Sequence, residues 1–139
     1  MRLELKATPE EVMRAVEALQ ALGQEHQIPE KALFALSLAL EESASNIVSY
    51  ALRADPGRTF SVSFECAGGI ATIELRDDGP PFDPTQAPAP EGPASDDRPP
   101  GGWGIQLVRR YMDEILYRRE SGENVLRLTK RIPSRAIEQ

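Results

Sequence analysis

The spacing of apolar residues shifts repeatedly along this chain, and each shift marks an element. In RLELK, residues 2–6, Leu3 and Leu5 alternate with charged neighbours, which predicts a short strand. Thr8 then stands as an N-cap before Pro9, with Glu11 three residues after the cap, and the helix they open is expected to reach about Gln24. Pro29 restarts a helix after HQI, and this long second helix runs to about Leu52, where Asp55, Pro56 and Gly57 supply a turn. Period-two alternation follows. Phe60, Val62, Phe64 and Cys66 alternate with Ser61, Ser63 and Glu65, then Ala71, Ile73 and Leu75 with Thr72, Glu74 and Arg76. Gly68 and Gly69 join the two runs as a hairpin. Ile105, Val108, Met112 and Ile115 return to helical spacing, and two last strands flank the turn SGEN with Leu126 and Leu128 facing inward.

That order predicts an α/β two-layer sandwich, a mixed, largely antiparallel sheet with helices on one face. The opposite sheet face, carrying Ser61, Ser63, Thr72, Glu74 and Arg76, should be polar and wet. Residues 80–100 hold 8 of the 12 prolines, too many for a helix or a ladder, so a mobile loop is expected there. The tail from Pro133 to Gln139 should fray. Residues 1–139 are read as one domain.

Composition narrows the function. A net charge of -6 argues against nonspecific nucleic-acid binding, which rests on neutralising phosphates with Lys and Arg. Arg109 with Arg110 and Arg118 with Arg119 read as solvated surface. The single Cys66 excludes an internal disulfide and suggests a reducing, cytoplasmic setting, and His26 reads as a surface residue. No apolar run approaches the ~20 residues of a membrane span, and the N-terminus lacks the layout of a signal peptide, so a soluble protein without membrane contact is expected.

Chemistry could sit in three places. On the second helix, Leu33, Leu36, Leu40, Ala44, Ile47 and Ala51 form one stripe at about 100° per residue. Glu42, Asn46 and Ser49 lie roughly opposite, flanked by the small Ala35 and Ala39; that face either meets solvent or lines a cavity. Glu41 points about 100° away from Glu42 and shares no face with it. In DDGPPFDP, Asp77 continues the inward register of Ala71, Ile73 and Leu75, whereas Asp78 points to the wet side. An inward carboxylate needs donors, and Gly79 lets backbone approach closely; the plain alternative is an Asp-Gly turn. Third, GGWG at 101–104 opens a helix, either as a hinge or as a cradle whose backbone N–H groups face an anion.

The order of these features is more specific than any one of them. Acid-x-x-x-Asn on a helix, Asp-x-Gly after a strand and Gly-x-Gly before a helix together resemble the N, G1 and G2 boxes of the GHKL ATPase superfamily. LALEESASNIVSYAL, DDGPPFDP and GGWGIQLVRRYMDEI look like the anti-sigma factor serine/threonine kinases within it. The resemblance extends from about Leu3 to Ile132. It implies that Asn46 coordinates the Mg²⁺ that bridges ATP phosphates and that Glu42 is the general base. It also implies that Asp77 bonds the adenine amino group with Gly79 beside the base, and that Gly102 and Gly104 let a lid at residues 84–100 lie on the phosphates. The implied acceptor is a serine or threonine of a STAS-type anti-anti-sigma protein that competes with a sigma factor for the kinase, in a stress-response switch of transcription. A homodimer is part of the same family picture. The different-class alternative is a non-catalytic module that holds a partner according to whether ATP or ADP is bound. Two letters depart from the pattern: Tyr50 stands where a histidine is common, and Pro81 replaces the second G1 glycine.

Overall fold

A computed structural model describes residues 1–86 and 102–133 of the chain. Five strands form one sheet: β1 (Arg2–Lys6), β2 (Thr59–Ala67), β3 (Ile70–Asp77), β4 (Glu114–Glu120) and β5 (Glu123–Arg131). Their order is β1-β2-β3-β5-β4, and every pairing is antiparallel. Among the described residues three α-helices, α1 (Pro9–Glu25), α2 (Glu30–Asn46) and α3 (Gly102–Tyr111), accompany the sheet, with α2 packed against both α1 and α3. The expected two-layer α/β sandwich is thus observed, with a sheet that is antiparallel throughout its described strands.

Local chemistry sets the elements. The Thr8 hydroxyl accepts from the Glu11 N–H at 3.3 Å with Pro9 in the first turn of α1, so the predicted cap forms. The Glu11 carboxylate reaches one step further back than a capping box would, to the N–H of Lys6, and thereby ties α1 to β1. Gly23 permits the close approach of the first two helices, because a Cβ there would lie 2.4 Å from Leu33 Cδ1. The hairpin turns at Gly68 with Gly69 and at Ser121 with Gly122 all have positive φ, as two-residue hairpins of this hand require.

The core lies between the layers. Leu19, Leu36, Leu40, Ile105 and Val108 from the helices meet Phe60, Val62, Ile73, Leu75 and Leu128 from the sheet. On the other face Arg76 is ion-paired with Glu74, Glu120 and Glu123, an arrangement suited to a solvated sheet surface.

The structure differs from the sequence reading in two instructive places. Ile115 does not continue α3; it lies in β4 opposite Leu128, because the helix ends at Tyr111 and the alternation of Ile115 and Tyr117 packs against the core. The second helix does not run to Leu52 as α-helix either. After Asn46 it widens into a turn of π-helix, Ile47–Ala51, closed by the Leu52 N–H on the Ile47 carbonyl at 2.9 Å. Arg53 and Ala54 then leave it with φ of 52° and 54°, left-handed backbone that non-glycine residues adopt at a cost. Most of the predicted lid and the predicted frayed tail fall at 87–101 and 134–139, outside the described residues. Among the described residues no helix is long and apolar enough to cross a membrane.

Candidate nucleotide site

Four chain segments meet around the π turn. Ser43 and Asn46 come from the end of α2 and Ile47 and Ala51 from the π turn that continues it, Asp77 and Asn124 from paired positions on β3 and β5, and Ile105 from the first turns of α3. Phe82 and Pro84, from the loop after β3, complete a cavity of about 20 Å³. That is room for about one water rather than a purine base, so a larger occupant requires this loop to move.

The predicted residues take distinct places around it. Asn46 is 9% exposed and lines the cavity, so its own position on that helix face is enclosed rather than wet. Glu42 lies one turn earlier, half-buried and outside the cavity lining, and Ser49 is exposed. Asp77 is 4% exposed and lines the cavity, whereas Asp78 turns outward to meet Arg58 at 2.8 Å. The alternating register of β3 therefore separates these adjacent acids as the sequence implied. Gly79 abuts the π turn: a Cβ there would lie 2.6 Å from the Ala51 carbonyl oxygen. Gly102 and Gly104 fall in the first turn of α3, next to cavity-lining Ile105.

The hydrogen bonds reveal a residue that sequence reasoning passed over. Asn124, 4% exposed, donates to Asp77 Oδ1 at 3.0 Å and to the Pro80 carbonyl at 2.9 Å. Its own oxygen accepts from the Phe82 N–H at 3.1 Å and from the Tyr117 hydroxyl. One amide therefore holds the acid, the loop and the neighbouring strand together. Asp77 Oδ1 also accepts from the Gly79 N–H at 2.9 Å, and Arg119 donates to the Gly79 carbonyl at 2.7 Å. Arg109 donates to the Thr85 carbonyl further along. These two arginines, read from the sequence as solvated charge, hold the described part of the loop at Gly79 and at Thr85.

Tyr50, unexplained by its sequence context, stacks on Phe82 with ring centroids 6.4 Å apart and 25° between planes. The wide turn presents Tyr50 to the loop, where it packs on cavity-lining Phe82.

Burial acts on Asp77 and Glu42 in the same direction. Burial pushes the Asp77 carboxyl above its ordinary range, and the bonds from Asn124 and Gly79 only partly offset it. Glu42 is also pushed up, first by desolvation and then by the charge of Glu41. A raised carboxyl pKa suits a proton acceptor that must also release its proton. The Ser43 hydroxyl is buried without a partner and lines the cavity beside Asn46, a polar group left for an occupant.

Two expected results follow from this geometry. Gly79→Ala should cost about 1–3 kcal/mol by forcing the loop off the π turn; an unchanged urea midpoint would contradict the close contact. The folded chain holds the Glu42 proton more tightly than the unfolded chain, so this residue's contribution to stability is lost as pH rises from the unfolded carboxylate value through the raised folded one. Glu42→Gln cannot titrate. Its urea midpoint should gain on the parent's as pH is raised from about 4 to 7, and a pH-independent difference would refute the shift.

Comparison with known proteins identifies the family and the fold. The profile of the histidine kinase-like ATPase domain family matches residues 5–130, and the chain belongs to that family. Among its relatives, the serine/threonine-protein kinase BtrW of Bordetella bronchiseptica is 31% identical over 128 residues, covering 91% of this chain and 90% of that one. Two solved structures share the fold. The RsbU and RsbW domains of a Mycobacterium tuberculosis protein give a TM-score of 0.65 at 18% identity over 95% of this chain, which spans only 31% of that one. The SiaB-SiaC complex from Pseudomonas aeruginosa gives 0.63 at 14% identity, covering 95% of this chain and 89% of the matched one. The expected resemblance to the histidine kinase-like ATPases therefore holds at the level of the family.

Proposed function

We propose that this chain is an ATP- and Mg²⁺-dependent protein serine/threonine kinase of the anti-sigma regulatory type, acting in the cytoplasm. The observation that carries the reading is that Asn46, Asp77 and Ile105, which follows the glycines of α3, line one cavity, with Glu42 one turn before Asn46. The likeness to BtrW over most of both chains supports the same reaction class.

The residues fit the reactants. Among the described residues no group of three or more His, Cys, Asp or Glu could cage a metal. A hard cation would then take its protein oxygen from Asn46 and the rest from phosphates and water, a habit of Mg²⁺. When bound, that ion supplies positive charge against the phosphates. Asp77 accepts the hydrogen bond of the adenine amino group, and the start of α3 offers backbone N–H groups to the phosphates. Glu42 takes the proton of the incoming serine or threonine hydroxyl as its oxygen bonds the γ-phosphorus and the bond to ADP breaks.

The acceptor in this reading is a STAS-type anti-anti-sigma protein, and its competitor for the kinase is a sigma factor. A homodimer is compatible with the edge position of β1. The second reading, an ATP/ADP-gated binding module without phosphotransfer, is favoured by one observation: Glu42 does not line the cavity. Incubation with γ-labelled ATP, Mg²⁺ and a purified STAS-type protein encoded beside this chain separates the two. Labelled serine or threonine on that protein supports the kinase; tight ATP binding without transfer to it or to other STAS-type proteins supports the module.

A further inference from the structure

A second concave surface lies at the far end of the helices that build the nucleotide site. The first turns of α2 and the last turn of α3, with the end of β5, enclose a groove of about 370 Å³. Its apolar lining comes from Pro29, Ala32, Phe34, Ala35, Tyr111 and Pro133. Phe34 is 61% exposed, more than the other outward-facing large hydrophobics of the described chain, and meets Tyr111 edge-to-face with centroids 6.3 Å apart. A ring left open in a concave apolar setting marks a contact surface more often than chance exposure does.

The charge around this groove identifies its occupant. Its lining includes Lys31, Lys130 and Arg131 and no carboxylate. Lys130 donates to the Tyr111 carbonyl at 3.0 Å, and none of the three cations is ion-paired with a described carboxylate. Asp113, the acid closest along the chain to Tyr111, is engaged by the Arg131 N–H at 2.7 Å. Three cations without a salt bridge to a described carboxylate stand out on a chain whose net charge is -6. We propose that this groove docks an acidic segment of a partner protein, one large apolar side chain entering beside Phe34 while flanking carboxylates meet Lys31, Lys130 and Arg131. A second copy of this net-acidic chain is the less complementary occupant, and three cations around a concavity suit a shaped segment better than a flat anionic membrane.

Phe34 precedes Asn46 by twelve residues on α2, roughly 18 Å along the helix, so docking leaves the nucleotide cavity uncovered. The partner would be held at one end of α2 and α3 while nucleotide occupies the other. The proposal does not depend on the assigned reaction, since the groove shares no lining residue with that cavity.

The test uses the full chain and two synthetic helical peptides. One contains alanine, leucine and glutamate around a central phenylalanine; its twin carries lysine in place of every glutamate. The acidic peptide should shift the backbone amide signals of Ala32, Phe34, Tyr111 and Lys130 in NMR titration. Phe34→Ser and the double variant Lys130→Glu/Arg131→Glu should each weaken it about tenfold or more, while both variants bind a fluorescent ATP analogue like the parent. Equal binding of the lysine twin would overturn the proposal, as would a titration in which the groove signals stay still. Two further outcomes would also overturn it: concentration-dependent self-association abolished by Phe34→Ser, which assigns the groove to a second copy, and Phe34-dependent binding to phosphatidylserine vesicles without peptide binding, which assigns it to lipid.

Discussion

Asp77→Asn should reduce ATP affinity by about 10- to 150-fold, the loss expected for one hydrogen bond to a charged group. The substitution is nearly isosteric. The asparagine oxygen can still accept from the Gly79 N–H and the Asn124 amide, so the local loop contacts survive. The remaining atom changes from an acceptor to a donor, which faces an exocyclic amino group unfavourably and a carbonyl favourably. The variant should therefore lose its preference for adenine over guanine nucleotides. Because burial already holds the Asp77 carboxyl above its ordinary range, a neutral side chain should leave stability at pH 7 equal or improved. Isothermal titration with ATP and GTP, alongside urea unfolding, reads both effects. Unchanged ATP affinity in a folded variant would remove Asp77 from base recognition.

Glu42→Ala should separate binding from chemistry. Loss of a general base lowers transfer by about 10²- to 10⁴-fold, while Glu42, outside the cavity lining, contributes little to nucleotide affinity. Single-turnover transfer to the STAS-type acceptor should fall by that factor with ATP affinity within about threefold of the parent, a limit set by an indirect effect on Asn46 one turn away. If transfer persists at the parental rate, Glu42 is not the base. If affinity collapses together with transfer, its role is in holding nucleotide.

How much of this could be read in the letters depends on the range of the interaction. Residues whose placement comes from local periodicity were legible. Asp77 and Asp78 part because β3 alternates, and Asn46 lies on the small-residue side of α2 beside Ala35 and Ala39. Asn124 was not legible, since its meaning comes from lying opposite Asp77, 47 residues away, and that register exists only once β3 and β5 pair. The signal was present in principle: aligning the inward Leu126 and Leu128 with Leu75 and Ile73 sets Asn124 across from the acid. Ile115 misled for a related reason. Its spacing fits both a helix and an alternating strand, and packing against the core favoured the strand.

Tyr50 and the π turn show another limit. At 100° per residue a helix can be unrolled from its sequence, but one wide turn changes the phase of everything after it. The position where a histidine was expected carries instead an aromatic ring whose partner, Phe82, lies on a different segment. Pro81, the other departure from the expected boxes, precedes that partner, and the Phe82 N–H is fixed by Asn124.

The contact between Gly79 and Ala51 also bears on how this protein can vary. The nearest obstacle to any side chain at position 79 is a main-chain carbonyl oxygen, which every residue at position 51 possesses. Ala51→Gly would remove a methyl group and leave that oxygen in place. Second-site suppressors of a Gly79 substitution should therefore not arise by shrinking position 51, and a mutant library gains little by randomising position 79. Variation in this loop has room at the exposed position 81 instead.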